Sequence, residues 1–187
     1  MGEIQVVLQA WIGDRRLLAA LLIGVSLALA AGPLIAKACH RSRRWTTLTL
    51  VSLAPILAFT ALTPPGQPLL LSVSNGMPES FLAQFGDLAL IKYQVTTFGG
   101  SAEKAANVAL YVPLGFASAM AGRRIVITIG AGIMTSFAIE LWQALNSRSG
   151  EFADVLHNSV GVATGALLAF MLIKRQEPKP VRQETHK

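Results

Sequence analysis

The stretch "IVITIGAGIMTSFAIELWQALNSRSGEFADVLHNSVGVATGALLAFMLI", residues 125–173, decides the fold. Each end is an apolar run close to the ~20 helical residues that cross the hydrocarbon core of a bilayer. Its middle instead gathers Glu140, Gln143, Asn146, Arg148, Glu151, Asp154, His157 and Asn158. Membrane-crossing strands would alternate in polarity at every second residue, and these runs do not. Two transmembrane helices joined by a polar crest fit the pattern.

The same apolar pattern recurs upstream at 17–36, 46–63 and 105–122, which with 125–145 and 155–173 predicts five transmembrane helices. The fold class expected is an all-α, polytopic membrane bundle. The chain is 52% hydrophobic and only 14% charged, whereas a soluble domain carries about 25% charged residues. The net charge of +6 comes from Lys and Arg clustered beside the apolar runs, where they report orientation and meet anionic lipid. No basic patch interleaves with aromatic residues as single-strand nucleic-acid binding requires, so no nucleic-acid partner is expected. The single cysteine, Cys39, rules out an intramolecular disulfide and any cysteine-built metal site.

With five spans, eleven Lys and Arg fall on one side and five on the other. The positive-inside tendency then puts the N-terminus outside and the C-terminus in the cytoplasm. Arg15 and Arg16 oppose that tendency locally. Together with the following apolar run and "ALA" at 28–30 they also fit a cleavable signal peptide. Cleavage there would leave four spans and move "HRSRR" (40–44) outside.

Outside the spans, residues 1–16 suggest a short interfacial helix, and residues 174–187 a disordered cytoplasmic tail. Residues 64–104 form the one sizeable outer loop. Within it "FLAQFGDLALIKY" places Phe81, Phe85, Leu88 and Lys92 on one helical face and Gln84, Asp87 and Ile91 on the other. An amphipathic surface helix is predicted, acting as a strut rather than a lid.

The last three spans carry the chemistry. Glu140 lies fifteen uncharged residues beyond Arg124, about 20 Å into the membrane. A carboxylate at that depth is a functional hypothesis by default. Gln143 follows one turn on, and Asp154, Asn158, Gly161 and Gly165 share a face of the next helix. Asn107, Tyr111, Gly115 and Ser118 form a matching stripe on the third span, which Pro113 interrupts. Asn107, Glu140, Gln143, Asp154 and Asn158 therefore fall at the outer ends of their helices, with Arg148 as the nearby cation. They form either a ligand site or a set of interhelical hydrogen bonds. Asp154 and His157 could join Glu140 around zinc, but that set is thin beside ordinary zinc sites. No metal or cofactor is expected.

Two segments, "NVALYVPLGF" (107–116) and "IELWQALNSRSGEFADVLHNSVGVATG" (139–165), resemble the VanZ-like family. The likeness covers roughly residues 105–170, with weak support from "LTP" after the second span. It marks Asn107, Pro113, Gly115, Glu140, Gln143, Arg148, Asp154, Asn158 and Gly161; His157 is outside it. The resemblance implies a multi-pass protein of the bacterial cytoplasmic membrane. It also implies a link to resistance against teicoplanin, a lipid-tailed glycopeptide that acts on cell-wall precursors. Expected partners are membrane lipids, a lipid-linked precursor or lipoglycopeptide, and further copies of the chain or envelope enzymes. Catalysis on lipid-linked glycan or phospholipid by Glu140 and Asp154, with Arg148 holding phosphate, is an alternative. A scaffold for envelope enzymes is another.

Overall fold

The computed structural model describes residues 14–61, 77–97, 102–122, 124–145 and 150–176. Residues 1–13 of the interfacial helix expected at 1–16, the "LTP" motif at 62–64, Arg148 and the tail from 177 lie outside the described residues, while Asp14, Arg15 and Arg16 begin α1. The described elements are α1 (Arg15–Ala38), α2 (Arg43–Ala61), α3 (Met77–Ala83), α4 (Leu88–Thr96), α5 (Ala102–Gly122), α6 (Ile125–Leu145) and α7 (Phe152–Gln176). A 3₁₀ turn, Gln84–Gly86, separates α3 from α4.

Helices dominate because lipid offers the backbone no hydrogen-bond partner, so each segment must satisfy its own N–H and C=O groups. Among the described residues α1, α5, α6 and α7 are long and apolar enough to cross a membrane. Large apolar side chains such as Leu22, Leu34, Val126 and Met134 point outward, a pattern suited to lipid and costly in water. The protein is a multi-pass membrane bundle. The fifth expected span, α2, is 19 residues long, but Arg43, Arg44 and several hydroxyls make it less apolar than the other four. Thr49, Ser52 and Thr60 return their hydroxyls to carbonyls four residues back, which satisfies them within the helix.

Asp14 starts α1 by accepting from the Arg16 backbone N–H at 2.9 Å. Its C-terminus closes in a Schellman turn: Arg41 N–H donates to Ala36 O at 2.8 Å and His40 N–H to Lys37 O at 3.3 Å. His40 occupies the left-handed position of that turn, with φ 52°. The chain reverses and α2 runs antiparallel to α1, with Gly24 against Ala54 and Gly32 against Thr47.

The centre of the bundle is the pair α5 and α7. Gly161 lies on the Val108 carbonyl, Gly165 on the Val112 carbonyl and Gly115 on the Val162 carbonyl, where a Cβ would overlap the neighbouring backbone. Contacts that advance together along both chains mean parallel helices. α6 runs back antiparallel to both and packs mainly on α7. Ile56, Tyr111, Leu114, Ile139 and Val162 fill the centre of the bundle.

The segment between α2 and α5 departs from the expected single amphipathic helix. Gly86 ends the first part, and Asp87, extended at ψ 93°, caps α4 by accepting from Leu90 N–H at 3.0 Å. Phe81 is fully buried with Ala144 and Val155. Phe85 joins it edge-on, 5.3 Å between centroids, and packs on Phe152 at 5.0 Å. α3 thus closes over the junction of α6 and α7. α7 itself continues through Gln176, past the expected end of the last span.

Candidate functional site

Parallel α5 and α7 bring their N-termini to the same end of the bundle, where α6 finishes. Five of the six polar positions predicted to cluster meet there. Asn107 Nδ2 donates to Asp154 Oδ1 at 2.8 Å, tying α5 to α7. Asn158 Nδ2 donates to Ser136 Oγ at 3.0 Å, tying α7 to α6. Glu140 is 2% exposed and Gln143 is buried one turn further along α6. The sixth position, Arg148, lies outside the described residues.

The first turn of α7 explains how a carboxylate is tolerated here. Its N-terminal N–H groups have no partner within the helix. Glu140 Oε2 accepts from Glu151 N–H at 3.2 Å, and Gln84 Oε1 accepts from Phe152 N–H at 2.9 Å. Gln84 also donates through Nε2 to Gly150 O at 3.0 Å, so one side-chain amide holds the backbone on either side of Glu151 at the entry to α7. Gly150 is buried, and a Cβ there would press on the Glu140 carbonyl, Ala144 and the Phe81 ring. The N-terminus of α7 faces Glu140 and carries Asp154 in its first turn, the end of a helix where carboxylates are favourably placed.

Two buried polar atoms of the cluster are left without a hydrogen bond. Tyr111, 1% exposed, brings its hydroxyl into the neighbourhood of Ser136, Glu140 and Asp154, yet the hydroxyl has no partner of good geometry. The Oδ1 of Asn158, 3% exposed, is likewise unpartnered. A buried unpaired polar atom costs about 1–3 kcal/mol. One hydroxyl and one amide oxygen are thus left unused beside Glu140 and Asp154.

His157 is buried, and its Nδ1 engages the Ala153 carbonyl within its own helix. Among the described residues no group of three His, Cys, Asp or Glu is placed to hold a metal ion. Trp142 is exposed on the outer face of α6. Pro113 also lies on an exposed face, while Gly115, Gly161 and Gly165 line the α5–α7 contact. Sequence reasoning overlooked Ser136, although it precedes Glu140 by one turn on the same face. It placed Gln84 on the wrong side of a surface helix.

These features define a polytopic all-α membrane protein with a buried acid–amide cluster at one end of its bundle. The VanZ/LLP1 family model matches residues 17–174. The chain belongs to that family, which is bacterial and membrane-associated. No curated protein and no solved structure matches the chain.

Proposed function

We propose that this protein acts at the bacterial cell envelope by holding the polar part of an amphiphilic or lipid-linked ligand in the cluster of Asn107, Glu140, Gln143, Asp154 and Asn158. Arg148, which lies between Leu145 and Gly150 in the sequence, supplies the cation. In this reading α2 is the fifth crossing, the N-terminus and the cluster face outward, and the C-terminus is cytoplasmic in the inner membrane. The ligand is a lipoglycopeptide of the teicoplanin type or the precursor on which it acts, and binding contributes to resistance. The observation that carries the proposal is the burial of the unpartnered Tyr111 hydroxyl and Asn158 carbonyl oxygen beside Glu140. Polar groups so placed in a membrane helix are costly and mark functional sites by default.

A teicoplanin-sensitive bacterium expressing the wild-type chain should gain resistance, and Glu140→Gln at equal membrane abundance should lose it. Unchanged resistance in that variant would defeat the binding role.

The pairs Asn107–Asp154 and Asn158–Ser136 favour a second reading. In it, the same cluster locks three helices together without binding anything. Variants would then lose thermal stability and phenotype in step.

A further inference from the structure

At the opposite end of the bundle, α2 and α6 diverge over one face of α5. They leave an apolar slot of about 460 Å³, walled by Leu50, Leu53, Leu114, Ile127, Ala131 and Val162. Ligand cavities commonly fall between about 300 and 1,000 Å³. Next to it lies a polar recess of about 630 Å³ lined by His40, Ser42, Trp45 and Gln176 among others. Cys39, Arg41, Ala121, Gly122 and Arg124 line both, so slot and recess adjoin at these five residues.

The mouth is built for negative charge. Arg41 Nη1 donates to Gly122 O at 2.7 Å and so caps the C-terminus of α5. The absence of a side chain at Gly122 makes room, because a Cβ would come within 2.8 Å of Nη1. One N–H of the guanidinium fixes its position, and the fork has further N–H groups to present. Arg124 flanks the same recess. No acidic residue occurs in 36–46, 118–128 or 170–176, so the field there is positive. Thr46, just inside the slot, is 9% exposed, and its hydroxyl has no hydrogen-bond partner.

We infer that this groove binds one anionic phospholipid of the adjoining leaflet. An acyl chain lies in the slot between α2 and α6, the phosphate sits between Arg41 and Arg124, and Thr46 meets the ester region. Basic recesses between transmembrane helices recognise anionic headgroups in this way. The Schellman turn aims Arg41: with His40 left-handed, the residue after it crosses from the α1–α2 hairpin to α5. The basic mouth lies at the end of α6 away from Glu140, so the inference does not rest on the proposed ligand site.

The test is native mass spectrometry of the detergent-purified chain with equal phosphatidylglycerol and phosphatidylcholine. One phosphatidylglycerol should be retained per chain in preference to phosphatidylcholine. Arg124→Gln should reduce that preference on the order of tenfold, as should Arg41→Gln if it folds. Arg41→Lys, which keeps a cation, tests the role of charge should Arg41→Gln not fold, and it should retain a preference. Ala131→Trp, which fills the slot and leaves both arginines in place, should abolish retention of either lipid. Equal retention of the two lipids, an unaffected Arg124→Gln protein, or retention by Ala131→Trp would overturn the inference. So would displacement of the lipid by an equal concentration of glycerol phosphate, which would indicate a phosphate site without chain recognition.

Discussion

Glu140, near the end of one helix, accepts a hydrogen bond from the backbone N–H of Glu151 at the start of the next, 3.2 Å away. A buried acid thereby satisfies a helix N-terminus that would otherwise be unpaired. Glu140→Gln retains an oxygen acceptor and should melt close to wild type. Glu140→Leu removes it and should cost about 1–3 kcal/mol. Thermal unfolding of both proteins in the same detergent separates the acceptor role from any role of the charge.

The Asn107–Asp154 bond joins two helices 47 residues apart in sequence. Substituting each by Ala, singly and together, should give a coupling energy of about 1 kcal/mol, the ordinary size for a side-chain hydrogen bond between membrane helices. Additive losses would show that the pair contributes nothing measurable.

Glycines in the spans should divide sharply. Gly165→Ala places a Cβ against the Val112 carbonyl and the Phe116 nitrogen, and should cost about 1–3 kcal/mol through overpacking. A Cβ at Gly130 would meet nothing within 4 Å, so Gly130→Ala should be neutral or gain up to about 1 kcal/mol from helix propensity. Melting temperatures of the two variants should move in opposite directions, or only the first should move.

Gln84 holds Gly150 O and Phe152 N–H at once. Gln84→Ala should loosen α3 from the junction at a cost of about 1–3 kcal/mol. Limited proteolysis should then cut within 77–97 faster than in wild type. An unchanged rate would mean that the aromatic contacts of Phe81 and Phe85 hold the segment by themselves.

Orientation is read by single cysteines in a Cys39→Ala background. Glu151 is exposed whereas Gly150 is buried, so Glu151→Cys is the probe at the α6–α7 junction. A membrane-impermeant thiol reagent added to intact cells should label it. Labelling only after the cytoplasmic face is opened would invert the proposed topology.

Long apolar runs made the helices legible in the sequence, since a membrane crossing leaves little choice of secondary structure. Spacing of three and four residues made the polar cluster legible too, because Glu140 and Gln143, or Asp154 and Asn158, must share a helical face. What stayed hidden was long-range. Gln84 reaches partners 66 and 68 residues away, and Arg41 caps a helix ending 81 residues later. Nothing in the local pattern of either residue specifies such a partner. The predicted surface helix failed at Gly86-Asp87, where a cap begins a new helix although the apolar spacing continues.

Titrating teicoplanin into the purified protein in lipid nanodiscs shows whether the cluster around Glu140 binds an amphiphilic ligand. Binding to the wild-type chain should be saturable, and weakened on the order of tenfold, or about 1.4 kcal/mol, in a normally folded Glu140→Gln protein. Binding of equal strength in both proteins, or none above empty nanodiscs, would contradict it.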